Sequence, residues 1–344
     1  MNNPLVSIVL TNFNSEKYIR DTINSVLVQT YQNFELIIVD DCSTDDSINV
    51  INSFLDKRIY VYKNAKNLGI SLSANLGLSV SKGMYICRLD SDDLWHPRKL
   101  ELQTKYMESH PKIGFLFTWA SKFGYITGIQ SVIPPTHKYI KASFLFTSSV
   151  VHSSVMFRSS ILKKFNGLYN ENIRASVDYD LWTKMIGIYG FYCLPKILVR
   201  YRIHDNQLSS YDNSNQMKNA DIIRDFYLNI NLFNYDESFS RIHNEICRFK
   251  VHNISDIKLW ANRITVYNKQ RKHINTSILK FFVKKYVILN IRHNSPSMNL
   301  KELLFYFYTS LSITFTSIIC TYYEIYKIII RNLYFMKGRI RSKL

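Results

Sequence analysis

The chain has 344 residues, of which 47% are hydrophobic and 20% are charged, and this balance excludes an intrinsically disordered protein. Its length exceeds what one ordinary core needs, so we expect one large domain with a smaller appendage. The five cysteines lie far apart without a CxxC pair, which argues against a zinc site or a disulfide framework. They indicate reduced core residues in a cytoplasmic protein.

The net charge of +18 is distributed unevenly. Residues 1–210 carry 23 Lys and Arg against 17 Asp and Glu, whereas residues 211–344 carry 21 against 9. A basic surface of this kind attracts anionic lipid, nucleic acid or phosphorylated substrates. Because residues 1–4 hold no basic stretch and the apolar run at 6–10 is short, we expect no secretory signal and a cytoplasmic active domain.

The first hundred residues alternate between short apolar runs and segments of helical spacing. Strands are predicted at 6–11, 34–39, 59–62 and 84–89, where apolar runs end in polar turns. Helices are predicted between them, with Ser15 capping the first and Ser43 the second. This order predicts a doubly wound α/β fold with a mostly parallel sheet sandwiched by helices.

The remaining chain continues this pattern to about residue 210 and then changes. We predict a helix from Pro97 to about 109, a strand at 113–118, a helix at 178–188 and an extended segment at 192–202. From 211 onward helical character persists without strand alternation. The sequence therefore predicts a catalytic domain at 1–210 and a basic, mostly helical C-terminal region at 211–344.

The segment 303–323 contains no charged residue, but its Ser, Thr and Tyr content makes it only weakly apolar. Five basic residues near the end of the chain have no acid among them, namely Arg331, Lys337, Arg339, Arg341 and Lys343. A helix lying on a membrane, a buried helix and a true span all remain open for this segment. We treat 303–344 as a candidate membrane-associating segment.

Polar side chains follow three of the predicted strands. They are Thr11 to Asn14, Asp40-Asp41 and Asp90 to Asp93, and ligands of such sheets bind beyond the carboxyl ends of the strands. No glycine-rich phosphate loop occurs there, and the helix after the second strand opens on acids, which repel phosphate. A divalent cation held by Asp90 and Asp92 would neutralise a bound diphosphate instead.

Each of these signals also has a purely structural interpretation. Asp90 to Asp93 could form a solvated turn or a helix cap, and Asp178 with Asp180 could be a capping pair rather than a general base. Arg202 and His204, two residues apart on an extended segment, could meet a diphosphate or its metal, or be structural. For His152 a buried, hydrogen-bonded role is favoured.

Taken together, several motifs resemble those of the family-2 glycosyltransferases, inverting enzymes of the GT-A fold. They are PLVSIVLTNFN at 4–14, QTYQNFELIIVDDCSTD at 29–45, NLG at 67–69 and 75–77, RLDSDD at 88–93, and PRKL at 97–100 with Gln103. The resemblance runs from about residue 4 to 209. It implies a GT-A catalytic domain of the nucleotide-diphospho-sugar transferase type, and it fades beyond residue 210.

The resemblance implies a role for each matching residue. The nucleotide-binding residues would be Thr11, Asn12, Asp40, Asp41, Asn67, Arg88, Asp90 and Arg202, with Thr11 and Asp41 at the nucleobase. Asp90, Asp92 and His204 would hold a divalent cation, Mn²⁺ or Mg²⁺, at the DxD motif. Asp178 matches the catalytic base that deprotonates the acceptor hydroxyl. Arg202 and His204 match a segment that closes over the diphosphate.

The implied function is a metal-dependent, hexosyltransferase-type reaction. A nucleoside-diphosphate sugar, expected to be a UDP-sugar, would donate its sugar to a hydroxyl of a polysaccharide or glycolipid in capsule or lipopolysaccharide synthesis. The protein would be peripheral on the inner face of the cytoplasmic membrane, near a lipid-linked acceptor. An impaired transferase-like scaffold and a nucleic-acid-binding protein are the alternatives. We expect no nucleic-acid partner, because acidic strand ends repel phosphodiesters.

Overall fold

A computed structural model describes residues 3–131, 133–165, 167–205, 207, 213–232, 235–251 and 253–294 of the chain. The chain divides into two compact units. The first comprises Met1–Ile140 and Ser148–Asn219, and the second takes in Lys141–Thr147 and the chain from Ala220 onward. The candidate membrane-associating segment, residues 303–344, lies outside the described residues.

Within the described chain, one sheet of nine strands forms the centre of the first unit. The strands are β1 (Val6–Asn12), β2 (Phe34–Asp40), β3 (Ile59–Lys63), β4 (Tyr85–Asp90), β5 (Leu94–Trp95), β6 (Ile113–Gly124), β7 (Gly128–Ser131), β8 (Met156–Arg158) and β9 (Gly190–Ile203). Their order is β3-β2-β1-β4-β8-β6-β9-β5, and β7 pairs with β6.

Strands β1 to β4 form the parallel half of the sheet, with β1 between β2 and β4. β6 and β9 form a second parallel ladder, while β8 joins the two halves by antiparallel pairing with β4 and β6. Two further short pairings, β5 with β9 and β7 with β6, are also antiparallel. Most paired residues therefore lie in parallel ladders, and the predicted mostly parallel α/β sheet is confirmed.

Ten α-helices accompany the strands in the described residues. They are α1 (Ile19–Leu27), α2 (Ser47–Asn52), α3 (Ile70–Ser79), α4 (Lys99–Ser109), α5 (His137–Ser143), α6 (Val177–Met185), α7 (Asn213–Asn231), α8 (Glu237–Cys247), α9 (Ile254–Arg271) and α10 (Thr276–Asn294). Short 3₁₀ turns cover His152–Ser154 and Ser159–Lys164.

The side-chain alternation of β1 explains why helices cover both faces of the sheet. Ile8 and Leu10 lie in one buried cluster with Ile19 and Ile23 of α1. Successive residues of a strand point to opposite faces, so Val9 points the other way, toward α3. A Cβ added to Gly77 of α3 would lie 2.5 Å from Val9 Cγ1. The absence of a side chain at Gly77 therefore lets α3 approach the strand closely.

Two predicted helix caps are wrong. Helix α1 begins after Tyr18 without a side-chain cap, and Ser15 instead bonds through Oγ to Ser91 Oγ at 2.7 Å. Helix α2 begins only at Ser47, because Ser43 Oγ donates to Asp40 Oδ1 at 2.5 Å and belongs to the loop. Both serines pair with residues of other segments, which competes with local capping.

The described residues of the second unit are helical, with an aromatic core. Phe146 stacks on Tyr286 and Phe282, and Trp260 donates to His243 Nδ1 at 3.1 Å. Burial lowers the pKa of His243 to about 3, so this ring is neutral in the core. No described helix combines the length and the apolar character that crossing a bilayer requires.

Candidate active site

The carboxyl ends of β1, β2 and β4 meet at one edge of the sheet. In the parallel ladders Asn12 is the partner of Asp40, and Thr11 is the partner of Asp90. The three polar clusters that the sequence places at strand ends are therefore neighbours. This convergence is what a nucleotide site in an open α/β sheet requires.

Asp40 and Asn12 form the buried floor of this edge. Asn12 Nδ2 donates to Asp40 Oδ1 at 2.7 Å, and the backbone N–H of Ser43 donates to Asp40 Oδ2 at 3.0 Å. Asn12 and Asp40 are both almost fully buried. These two side chains fix the loop that follows β2.

Asp41 holds a second loop at the same edge. Its carboxylate accepts hydrogen bonds from Asn64 Nδ2 at 2.7 Å, from the N–H of Leu68 at 2.8 Å and from the N–H of Gly69 at 2.7 Å. Asn67 Nδ2 lies 3.4 Å from the Asp41 carbonyl oxygen. Gly69 has φ +88°, which other residues rarely adopt, so the turn at 67–69 needs glycine there.

Arg88 is a fully buried cation at the centre of the edge. Its Nη1 donates to the carbonyl oxygens of Val9 and Leu89, each at 2.8 Å. Its Nη2 donates to Thr11 Oγ1 at 2.7 Å and to Asp90 Oδ1 at 3.3 Å. The guanidinium thus ties β1 to β4 and places a positive charge beside the first aspartate of the DxD motif.

His152 lies on a second side of Asp90, beyond hydrogen-bond distance. The imidazole Nδ1 lies 3.7 Å from Asp90 Oδ1, and Nε2 lies 2.7 Å from Tyr169 Oη. Burial lowers the pKa of His152 to about 4, so the ring is neutral near pH 7. The favoured structural interpretation of His152 as a buried, hydrogen-bonded residue thus fits the geometry.

Asp92 pairs with His204 across the site. His204 Nε2 lies 2.9 Å from Asp92 Oδ2, and its ring packs on Tyr18 at a centroid distance of 4.4 Å. The Nδ1 atom of His204 is buried and has no hydrogen-bond partner among the described residues. The structure therefore brings together two of the three predicted metal ligands, Asp92 and His204, as a direct pair.

Arg202 fastens β9 to the DxD loop. Its Nε donates to the Asp92 carbonyl oxygen at 2.7 Å, and its backbone N–H donates to Asp93 Oδ1 at 2.9 Å. The guanidinium lies over the ring of Tyr18 at 4.7 Å and of Phe123 at 4.4 Å. It also lies 3.7 Å from Asp21 Oδ2. This geometry keeps a cation beside the acidic loop.

Three carboxyl groups, those of Asp90, Asp92 and Asp93, lie within four residues of the chain. Burial raises the pKa of Asp93 well above its usual value, and the charges of Asp92 and Asp90 raise it further. Asp93 Oδ2 is buried without a described partner. A bound cation would relieve this repulsion between like charges.

Asp178 lies in the first turn of α6, next to Ser176 with φ 61°. Ser148 Oγ donates to its Oδ2 at 3.2 Å. Burial raises the pKa of Asp178 to about 6; the Tyr179 N–H lowers it, the Asp90 charge raises it and the Ser148 hydroxyl lowers it. A carboxylate with this pKa is suited to accept a proton near neutral pH. The neighbouring Asp180 instead bonds to Lys184 Nζ at 2.7 Å.

Asn75 of α3 positions the loop that carries Tyr169. Its Oδ1 accepts from the N–H groups of Leu168 at 3.0 Å and Tyr169 at 2.9 Å, while its Nδ2 donates to the Tyr169 carbonyl oxygen at 2.9 Å. Burial raises the pKa of Tyr169, the charge of Arg88 lowers it, and the charges of Asp90 and Asp178 raise it. The tyrosine is therefore near enough to both aspartates to be affected by their charges.

The donor chemistry of the site fits a divalent cation. Within the described residues, no group of three or more His, Cys, Asp or Glu side chains is arranged to hold a metal ion. Proteins that bind Mg²⁺ together with a nucleotide, however, use only one or two carboxylates. Phosphate oxygens and water complete the coordination. Asp90 and Asp92 would supply those two carboxylates, and the crowded charge around Asp93 favours a cation there.

Sequence reasoning missed several residues that the structure places at this site. They are Ser148, which donates to the candidate base, Tyr169, Tyr18 and Asp21. Ser148 and Tyr169 lie in irregular segments, where no periodic pattern marks a side chain as facing a cleft. Of these residues, only Tyr18 could have been found from the sequence. It immediately precedes the helix that follows β1, which places it near the carboxyl end of that strand.

The mostly parallel sheet with its helices is similar to the fold of solved GT-A glycosyltransferases. TarS residues 1–349 of S. aureus, solved with UDP-GlcNAc, superimposes with a TM-score of 0.55 at 18% identity, covering 85% of this chain and 90% of that chain. The mannosyltransferase PcManGT of Pyrobaculum calidifontis, solved with GDP-Man and Mn²⁺, gives 0.52 at 14% identity, covering 97% and 88%. These similarities concern the fold.

Sequence comparison identifies the family. The profile described as Glycosyl transferase family 2 matches residues 7–165. An uncharacterized glycosyltransferase of Methanocaldococcus jannaschii is 38% identical over 221 residues, covering 61% of this chain and 75% of that protein. The UDP-Glc:alpha-D-GlcNAc-diphosphoundecaprenol beta-1,3-glucosyltransferase WfaP of Escherichia coli is 32% identical over 224 residues, covering 64% and 86%. The chain belongs to glycosyltransferase family 2.

Proposed function

We propose that this chain is an inverting, cation-assisted hexosyltransferase that uses a nucleoside-diphosphate sugar. The observation that carries the proposal is the convergence of the strand-end carboxylates with Asp178, whose pKa is raised to about 6 by burial and by the charge of Asp90. One edge of the sheet then combines carboxylates that would hold a cation with a general base. These are the two elements that sugar transfer to a hydroxyl requires.

The donor nucleotide is assigned to the edge formed by β1, β2 and β4. Thr11 and Asp41 contact the nucleobase, with Asn67 beside them, and Arg88 acts through Thr11 and Asp90. Asn12 and Asp40 are buried against each other, so their role is to fix the loop after β2. A uridine nucleotide is the expected donor, in line with the UDP-glucose named for WfaP and the UDP-GlcNAc bound to TarS.

Asp178 deprotonates the acceptor hydroxyl as its oxygen attacks the anomeric carbon. The bond from that carbon to the diphosphate oxygen breaks at the same time, and the electron pair leaves with the nucleoside diphosphate. Attack from the face opposite the leaving group inverts the anomeric configuration. Arg202 and His204 lie beside Asp92 and would close over the diphosphate.

A divalent cation, Mn²⁺ or Mg²⁺, would be held by Asp90 and Asp92, with His204 beside them. When bound it supplies positive charge that stabilises the departing diphosphate. PcManGT was solved with Mn²⁺, which is consistent with such a cation in this fold. His204 Nδ1 and Asp93 Oδ2 are among the buried atoms left without a described hydrogen-bond partner around this locus, and the others include Arg88 Nε and Arg202 Nη2.

The acceptor is proposed to be a growing cell-surface polysaccharide or a glycolipid, such as the diphosphoundecaprenol-linked sugar named for WfaP. A lipid-linked acceptor places the enzyme at the inner face of the cytoplasmic membrane as a peripheral protein. The basic charge of residues 211–344 favours such a location, since anionic leaflets attract Lys and Arg. The segment 303–344 is the proposed anchor.

The decisive test measures thermal stabilisation of the full chain by UDP with Mn²⁺. We expect a clear rise in Tm, which Asp92→Asn abolishes and Asp256→Asn, in the second unit, leaves intact. Asparagine keeps the shape of the side chain and a hydrogen bond to His204 while removing the charge. If no nucleoside diphosphate stabilises the wild type, the result supports an impaired, transferase-like scaffold. Salt-sensitive retention on nucleic acid would instead support a nucleic-acid-binding protein.

A further inference from the structure

The part of helix α7 that belongs to the second unit, from Ala220 onward, exposes a stripe of large apolar side chains. Ile222 is 65% exposed, Phe226 45% and Ile230 41%, and the spacing of four residues puts them on one helix face. The opposite side of the helix packs inward through Ile223, Tyr227 and Leu228, which are nearly or fully buried. The helix is therefore apolar on both its inner and its outer face, and the outer stripe faces solvent.

The acidic residues beside the stripe are engaged by other side chains. Asp221 pairs with Arg224 and Arg248. Asp225 accepts hydrogen bonds from Ser240 Oγ and from Asn244 Nδ2, the latter at 3.0 Å. The charge of Asp221 is thus compensated by two arginines within the unit, whereas Asp225 is held by neutral donors and keeps its charge.

A basic segment adjoins the C-terminal end of the stripe. Residues 269–273, KQRKH in sequence, are all exposed at the end of α9. Arg271 Nη1 donates to the carbonyl oxygens of Asn229 at 3.2 Å and Leu232 at 3.4 Å, and His273 Nδ1 lies 3.1 Å from the Ile230 carbonyl oxygen. These contacts fix the cationic segment beside Ile230.

We propose that this face, formed by Ile222, Phe226, Ile230 and residues 269–273, binds the surface of an anionic lipid bilayer. An apolar stripe beside exposed Lys and Arg is the combination that inserts shallowly among lipid headgroups while neutralising their charge. The site goes beyond the proposed transfer reaction, because it lies in the second unit and uses none of the candidate catalytic residues. It is also separate in sequence from the proposed anchor at 303–344.

The test is flotation of the full chain with phosphatidylglycerol–phosphatidylcholine vesicles. We expect Ile222→Ser combined with Phe226→Ser to lower the vesicle partition coefficient several-fold relative to the wild type, since both proteins keep the proposed anchor at 303–344. The matched control is Leu259→Ser combined with Val266→Ser on α9, where the wild-type side chains are 53% and 50% exposed. The control should bind like the wild type, since its apolar residues have been removed from a different helix.

Charge is tested separately by Lys269→Gln and Lys272→Gln, neither of which contacts the carbonyl oxygens of α7. Each cation near an anionic surface contributes roughly fivefold to the partition coefficient, so the double variant should bind about 25-fold more weakly at low salt. The wild-type affinity should fall as salt rises, while binding to pure phosphatidylcholine vesicles should be weak for all variants.

Wild-type binding by the α7 double variant would overturn the proposal. If residues 295–344 covered the stripe instead, that variant would bind vesicles normally but unfold at a lower temperature, which also contradicts it. Stabilisation by UDP with Mn²⁺ is measured on the same proteins and should be unchanged. A failure of the lipid surface is thereby distinguished from a failure of the proposed enzymatic function.

Discussion

Asp178 is the residue whose environment bears most directly on the proposed reaction. Burial and the charge of Asp90 raise its pKa, while the Tyr179 N–H and the Ser148 hydroxyl lower it, and the balance leaves the pKa at about 6. A base with this value is mostly ionised at pH 7 and still basic enough to take a proton from a hydroxyl under attack. The opposing contributions explain why a buried carboxylate remains usable.

Replacing Asp178 with Asn should lower kcat by about 10²- to 10⁴-fold, the usual contribution of a general base. The amide keeps the size of the side chain and can still accept from Ser148, so the fold and UDP binding should persist. Turnover of a nucleotide-sugar donor, measured together with the Tm shift caused by UDP, checks this. Wild-type turnover in the variant would remove Asp178 from its proposed role.

The pH dependence of kcat/KM should report the same residue. For the wild type we expect activity to fall as the pH drops through about 6, because Asp178 becomes protonated and can no longer accept the proton. Ser148→Ala removes a hydrogen bond that favours the ionised form, so the acid limb should move to higher pH. Ser79→Ala, an exposed serine of α3, serves as the control and should leave the profile in place.

Residue types at strand ends could be predicted from the sequence, whereas partners in irregular segments could not. Asp90 and Asp92 follow an apolar run directly, and parallel strands bring their ends to one edge. The Tyr169–His152–Asp90 chain joins two irregular segments to a strand, and no periodicity in a single sequence indicates that pairing. The roles of Asp90 and Asp92 as substrate or metal contacts stay predictions.

At the scale of elements, the close approach of α3 to the sheet determines where its polar residues lie. Gly77 permits the approach, and two positions earlier Asn75 holds the loop that carries Tyr169. The helix therefore joins the strand edge to the segment near the base. A shift of α3 would move that loop and, through Tyr169, the surroundings of His152.

Gly77→Ala should destabilise the protein by about 1–3 kcal/mol, the range for adding a methyl group to a packed core. The new Cβ would lie 2.5 Å from Val9 Cγ1 and 3.3 Å from Val39 Cγ2, which outweighs the higher helix propensity of alanine. Gly187→Ala, where nothing lies within 4 Å of the new Cβ, is the matched control. Urea unfolding of both variants measures the difference; equal stabilities would contradict the close packing.

The elements that the sequence predicted well are those with strong periodicity. β1 to β4 are apolar runs of ordinary strand length, and their parallel order follows from the intervening helices. β5 and β8, with two and three residues, are too short to show alternation, so the antiparallel part of the sheet escaped prediction. The predicted caps are wrong because Ser15 pairs with Ser91, and Ser43 pairs with Asp40 and Asn12, instead of with the following helix.

At the scale of the whole molecule, nucleotide binding should protect separate stretches of chain that share one edge. Hydrogen exchange with UDP and Mn²⁺ should slow at residues 11–14, 40–43 and 90–93, while α9 should be unaffected. Ligand at a hundred times its Kd stabilises the native state by about 2.7 kcal/mol, enough for clear protection. Protection confined to one of the three stretches would contradict a shared site.

The buried guanidinium of Arg88 has a consequence for how such a protein could lose its activity. Asp90 is its nearest carboxylate, so an alanine at position 90 would leave an enclosed cation without a counter-charge. Asp178 forms no ion pair with a cation in the described chain, so its substitution should cost little folding stability. Inactive descendants of this sequence should therefore discard the base first and retain the acid at position 90, where folding itself preserves it.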